Sequence, residues 1–280
     1  MTDISEWTGR VGETWAEEWQ ATDRLLAAVN EALVDRLAAM LADVPAPHIL
    51  DIGCGAGTTS LTLAERIAGA RVTGVDLSPA LIKVARSRAG QTPGLSFVNA
   101  DVATWPGDGQ DFDALVSRHG VMFFADPAAA FTHLHGLTKP GAPFVFSCFR
   151  APVLNAWAAA FAPLIAALNP AAGPIGGAGP GPFAFADPDP VETLLTEADF
   201  GDLVFSPLDF DYVVGPAEDP EGEAVRFFQR IGPLAGALRA AGPGKREPAL
   251  EEVRRIAAEF RESDRIVFLA AAWIVSGRAL

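Results

Sequence analysis

Residues 48–60, HILDIGCGAGTTS, run a short block of branched apolar residues into an acid and then place glycine at positions 53, 55 and 57. A strand covered on both faces needs such a block. Glycines this closely spaced supply a turn that tolerates positive φ and has no Cβ to hold a ligand off. Open α/β sheets take up small molecules at that edge. The same rhythm then repeats: a helix near 58–68, strand RVTGVD, a helix over 79–89, strands LSFVNAD and FDALVSR, a helix near 127–137, and the turn and strand KPGAPFVFSCF. Parallel strands require crossover connections, so the alternation predicts a parallel sheet with helices on both faces.

The flanks read differently. Over 12–43, Trp15, Trp19, Leu25, Leu26, Val29, Leu33, Leu37, Met40 and Leu41 recur at helical spacing, predicting one or two helices before Pro45 and Pro47. After residue 150 an alanine-rich helix with Trp157 and Phe161 leads into NPAAGPIGGAGPGPFAF, too rich in glycine and proline for a regular element. That stretch is either a surface linker or a lid over a site. A helix near 188–198, strand LVFSPLDFDYVV, helices within 219–262 and a last strand RIVFLAAAWIVSGR complete the chain, the final pair of strands being candidates to run against the rest. The expected organisation is a helical cap over 1–44, a ligand-binding core over 45–150, and over 151–280 the rest of the sheet with cap or lid insertions.

Charge narrows the partners. Against 35 acidic residues stand 21 basic ones, a formal net charge of −14 that repels phosphate backbones and anionic headgroups. Neither nucleic acid nor a membrane surface is expected to bind. Cys54 and Cys148 follow no metal spacing and form no disulfide framework, so no metal site is expected and a reducing compartment is the default. With no signal-peptide pattern in MTDISEW and no apolar run long enough to span a bilayer, the expected location is the cytoplasm.

Asp51 at the mouth of the glycine turn argues for a ligand with a positive group, since a pyrophosphate would be repelled there. No lysine follows the glycines, which excludes a P-loop. Asp76 ends the next strand, where a carboxylate can accept both hydroxyls of a ribose. Asp101, in NADVATWP, ends the one after, within reach of an adenine amino group. Together they describe an adenosine site with a cationic tail. A dinucleotide fold with a shortened glycine turn is the competing reading, and a loop cap is the competing role for Asp101.

The stretches HILDIGCGAG, VTGVDLS, NADVATWP, SRHGVMFFADP and LTKPGAPFVF, in this order and spacing, resemble a class I S-adenosylmethionine-dependent methyltransferase of the small-molecule group that includes the ubiquinone and menaquinone C-methyltransferases. The resemblance covers about residues 45–150. It implies a Rossmann-like doubly wound sheet of seven strands with the last antiparallel, S-adenosylmethionine as cofactor, and Asp51, Gly53, Gly55 and Gly57 near its methionine moiety. It also implies Asp76 on the ribose, Leu77 packed on the adenine, and Asp101 and Val102 beside that ring. Ala142 stands where the family often keeps a second glycine.

Arg118 and His119 leave the fourth strand at the edge that carries the glycine turn, and are the candidate catalytic residues: Arg118 to orient a carboxylate or to form a structural ion pair, His119 as a base or as a polar group of the pocket wall. Trp7 and Trp15 are expected either to shield the sulfonium or to pack the cap. Phe123, Phe124, Trp157, Phe183 and Phe185 are candidates for an apolar acceptor pocket or for core, Cys54 reads as a small spacer, and His48 as a half-buried edge residue. The expected activity is methyl transfer to oxygen, carbon or nitrogen of a small apolar or aromatic metabolite, with a homodimer as the candidate assembly. The rivals are another reaction of S-adenosylmethionine on the same fold, a non-catalytic cofactor-binding partner, and a dinucleotide oxidoreductase.

Overall fold

In the computed structural model residues 4–280 are described, apart from 110, 171, 172, 174, 177 and 178. Four helices open the chain: α1 (Ile4–Thr8), α2 (Arg10–Glu17), α3 (Trp19–Leu25) and α4 (Ala27–Met40). The alternating core follows as β1 (His48–Ile52), α5 (Thr58–Arg66), β2 (Arg71–Asp76), α6 (Pro79–Ala89), β3 (Leu95–Asn99), β4 (Ala114–Arg118), α7 (Pro127–His135) and β5 (Pro143–Phe149). Then come α8 (Ala156–Leu168), α9 (Pro188–Glu197), β6 (Phe200–Val214), α10 (Pro220–Phe228), α11 (Pro233–Ala240), α12 (Pro243–Ala258), the short β7 (Arg261–Glu262) and β8 (Arg265–Ala279). Four of these helices start alike, at Ser78-Pro79, Asp126-Pro127, Asp187-Pro188 and Asp219-Pro220, where the polar side chain accepts a first-turn amide and the proline presets φ.

The sheet runs β3-β2-β1-β4-β5-β8-β6, with β7 paired to β8. Pairs among β1 to β5 are parallel, and β8 pairs antiparallel with both β5 and β6. The long insertion between β6 and β8 lets the last strand enter between β5 and β6, so β8, and not the final pair of long strands, runs against the rest. Every residue of β1 and β5 is buried, as strands covered on both faces are. His48 is correspondingly fully enclosed in central β1, its Nε2 3.0 Å from Thr73 Oγ1, and not at an edge.

The amino-terminal region divides by packing. Turns at Glu18 and Leu26 break the expected one or two helices into α2, α3 and α4. Helix α4 buries Val29, Leu33, Val34 and Leu37 against the sheet, while α1 to α3 reach over the carboxyl ends of its strands.

Candidate active site

A cavity of about 1500 Å³ opens at those carboxyl ends, larger than the roughly 300–1,000 Å³ that accommodates one small ligand. Part of its lining consists of residues singled out in the sequence: Asp51, Gly53, Gly55, Asp76, Leu77, Asp101 and Val102 all border it, with Trp15, Arg118 and His119. Another part of the lining is aromatic, built from Phe149, Trp157, Phe161, Phe183, Tyr212 and Phe228. Register explains the first part: β1, β2 and β3 lie side by side and in parallel, so the acids at or just beyond their ends come out together.

The glycine turn is held by its own amides. Gly55 N–H donates to Asp76 Oδ2 at 2.8 Å and Cys54 N–H to the Val75 carbonyl at 3.1 Å, so these two donors fix the loop to β2 rather than facing a ligand. A Cβ on Gly55 would meet nothing within 4 Å, which leaves clearance beside the loop. Gly57 has another task. It does not line the cavity; its φ is +83°, and a Cβ there would meet the Phe97 ring at 2.8 Å, so it is glycine for turn geometry and packing. Cys54 sits in a small cluster with Ile82, Ala85 and Phe97, and burial, with Asp76 and Asp51 nearby, pushes its thiol well up. A protonated, enclosed thiol is a spacer.

Asp51 accepts from Ser60 Oγ at 2.5 Å through Oδ2, while buried Oδ1 has no protein partner. Burial pushes its pKa up to about 7, against the opposing Ser60 hydrogen bond and the Arg118 charge. Asp76 accepts the Gly55 and Ser78 amides, both at 2.8 Å, and burial raises its pKa despite them. Each of its oxygens retains acceptor capacity. Asp101 Oδ1 caps its own loop, accepting from Ala103 N–H at 3.0 Å, and Asp101 still borders the cavity.

Arg118 donates from Nη2 to Asp23 Oδ1 at 2.8 Å, which makes the ion pair real, yet its buried Nη1 has no protein partner. Asp23 was not legible in the sequence. From α3 it also accepts from Thr58 Oγ1 and pairs with Arg88 at 3.1 Å, whose guanidinium lies 4.0 Å above the Trp19 ring. One carboxylate thereby ties the cap to the start of α5, to α6 and to the end of β4.

His119 is left-handed at φ +67° and buried, with Nδ1 2.6 Å from Ser147 Oγ and its ring edge-on to Phe149 at 4.3 Å. Burial, aided by the Arg118 charge, holds its pKa down to about 3, so the imidazole is neutral at physiological pH. Trp7 contacts both Trp15, at 5.9 Å, and Phe123, at 5.2 Å, closing an aromatic roof. Phe123, Phe124, Trp157 and Phe183 line the cavity, whereas Phe185 packs in the core on Phe131 and Phe146. Tyr212, from β6, and Phe228, from α10, carried no recognisable pattern in the sequence. Gly173, Ile175, Gly176 and residues 179–182 of the glycine- and proline-rich stretch border the cavity, so this part is wall rather than free linker; 171, 172, 174, 177 and 178 lie outside the described residues.

Among the described residues no group of three or more His, Cys, Asp or Glu side chains is placed to hold a metal ion, and no helix is long and apolar enough to cross a membrane.

A methyltransferase domain family matches residues 49–141. Trans-aconitate 2-methyltransferase of Paracidovorax citrulli is 38% identical over 106 residues, covering 36% of this chain and 40% of that enzyme. Demethylmenaquinone methyltransferase of Clavibacter sepedonicus is 33% identical over 155 residues, covering 54% of this chain and 62% of that enzyme. The matches thus span less than two thirds of these relatives. In fold, the chain is similar over its whole length to 61% of Haemonchus contortus phosphoethanolamine N-methyltransferase 2, solved with S-adenosyl-L-methionine, at a TM-score of 0.57 and 15% identity. Sequence motifs, sheet order and the family match agree over the core: residues 49–141 match a methyltransferase domain, on a sheet whose order and direction are those the resemblance to class I S-adenosylmethionine-dependent methyltransferases implied.

Proposed function

We propose that the chain is an S-adenosylmethionine-dependent methyltransferase acting on oxygen, carbon or nitrogen of a small, largely apolar or aromatic metabolite. The observation that carries this reading is one cavity lined both by the strand-end acids and by an aromatic cluster. Asp76 would hold the ribose hydroxyls, Leu77, Asp101 and Val102 the adenine, and Asp51 the positive charge of the methionine portion, its unpartnered Oδ1 supplying an acceptor. Arg118 Nη1 supplies a donor suited to the cofactor carboxylate.

The cofactor contributes a sulfonium-bound methyl group to an electron-rich acceptor. The chain's own residues align and dry the site, which supplies much of the acceleration for an in-line displacement. Trp7, Trp15 and Phe123 roof it, and α1 to α3 exclude water through the Asp23 tie. His119, held neutral, is a weak base, so the reading favours acceptors that ionise easily over those that need strong deprotonation.

Titration calorimetry with S-adenosylmethionine, S-adenosylhomocysteine and NADH tests the cofactor assignment: the first two bind and NADH does not. Binding of NADH alone overturns it. A labelled methyl group supplied to cell extract identifies the acceptor, and consumption of cofactor without a labelled product would favour a different reaction on this fold.

A further inference from the structure

We propose that His119 and Trp157 form a two-donor clamp for a phenolic or conjugated carbonyl oxygen on the acceptor, an assignment that rests on the methyltransferase reading. Both residues line the cavity, both are more than nine-tenths buried, and neither His119 Nε2 nor Trp157 Nε1 has a hydrogen-bond partner in the protein. They flank one ring: Phe149 lies 4.3 Å from His119 and 5.4 Å from Trp157, both edge-on.

The proton positions follow from the surroundings. Trp157 Nε1 can only donate. Ser147 Oγ lies 2.6 Å from His119 Nδ1, and the clamp assigns the hydroxyl as donor to that nitrogen, since a buried hydroxyl that only accepted would leave its own proton without a side-chain partner; the ring proton then sits on Nε2. Ser147 is wholly buried in β5, which fixes the pair. Trp157 stacks at 21° on both Phe183 and Tyr212, so its N–H, lying in the ring plane, does not point into either face. An N–H over the Phe149 ring would recover only part of a lost hydrogen bond. Two buried donors without acceptors are costly to retain, and at the wall of a ligand cavity the missing acceptor is the ligand's.

The rest of the chamber sets the class of oxygen. Phe161, Phe183, Tyr212 and Phe228 bring no charge, and the imidazole is neutral. The cation beside His119, Arg118, is already paired with Asp23, so a carboxylate or phosphate would be desolvated in this part of the cavity with little compensation, whereas a phenol, enol or quinone-type carbonyl presents a polar atom on a flat apolar body.

The test uses the full chain saturated with S-adenosylhomocysteine and three probes of similar shape: 2-naphthol, naphthalene and 2-naphthoate. The wild type binds 2-naphthol about tenfold more tightly than naphthalene and binds 2-naphthoate least. Trp157→Phe reduces the naphthol preference by about threefold or more, and Ser147→Ala, which frees the imidazole tautomer, reduces it independently; both retain wild-type affinity for S-adenosylhomocysteine. Equal binding of naphthol and naphthalene, no binding of either, or an unchanged preference in both variants overturns the clamp while leaving cofactor binding intact. Loss of S-adenosylhomocysteine binding by the wild type instead overturns the underlying reading.

Discussion

Asp51 carries the most quantitative prediction. Its carboxyl is buried, and its pKa stands at about 7 against an ordinary 3.8. If only the ionised form holds the positive methionine portion, roughly 3% of the protein is competent at pH 5.5 and about half at pH 7. The apparent Kd for S-adenosylhomocysteine should therefore tighten about sixteen-fold across that window, in which the ligand's α-amino group, with an ordinary pKa near 7.7–8.0, stays protonated. Asp51→Asn should bind weakly and lose most of this slope, keeping only what Asp76 contributes. The stability of the free protein must move oppositely. Because the folded state holds this proton more tightly than the unfolded chain, Asp51's contribution is complete below pH 3.8 and is withdrawn as pH rises to about 7. That difference corresponds to about 4 kcal/mol at most. Asp51→Asn, whose side-chain oxygen can still accept from Ser60, should accordingly melt higher than the wild type at pH 8 while binding worse. Calorimetry at pH 5.5, 6.2 and 7, with thermal melts at pH 8, reads both effects. A flat wild-type profile, or a variant that keeps the full slope, refutes the assignment.

Asp23→Ala leaves Arg118 and Arg88 without their shared carboxylate in a mostly buried setting, and should cost about 2–3 kcal/mol in urea unfolding and increase protease cleavage of the amino-terminal helices. Gly57→Ala imposes a left-handed alanine and a 2.8 Å approach to Phe97, and should destabilise by about 1–3 kcal/mol, read by the same unfolding curve; a neutral effect would show that the turn is not constrained there. Asp76→Asn weakens both the ribose contact and the tie to the Gly55 amide, and should lower affinity for S-adenosylhomocysteine at least tenfold while adenine alone, which lacks the ribose, loses much less.

The edge of strand-end acids was largely legible in the chain because its signals are local. A strand, a glycine turn and an acid are neighbours in sequence, and a parallel sheet brings successive strand ends together without further instruction, so Asp51, Asp76 and Asp101 could be placed on one wall from pattern alone. Even there a local signal cannot say which way a residue faces: Gly57 belongs to the same motif as Gly53 and Gly55, yet spends its missing Cβ on Phe97.

What the tertiary structure decided rests on contacts between residues far apart in the chain. Asp23 meets Arg118 across 95 positions, and His119 meets Ser147 across 28, pairings that no periodicity announces. Entry of β8 between β5 and β6, and the convergence of Trp157, Phe183, Tyr212 and Phe228 on one chamber, likewise come from packing. Apolar residues look alike in sequence whether they fill a core or line a pocket, because hydrophobic burial is non-directional; only the assembled fold shows that Phe185 does the first and Phe183 the second.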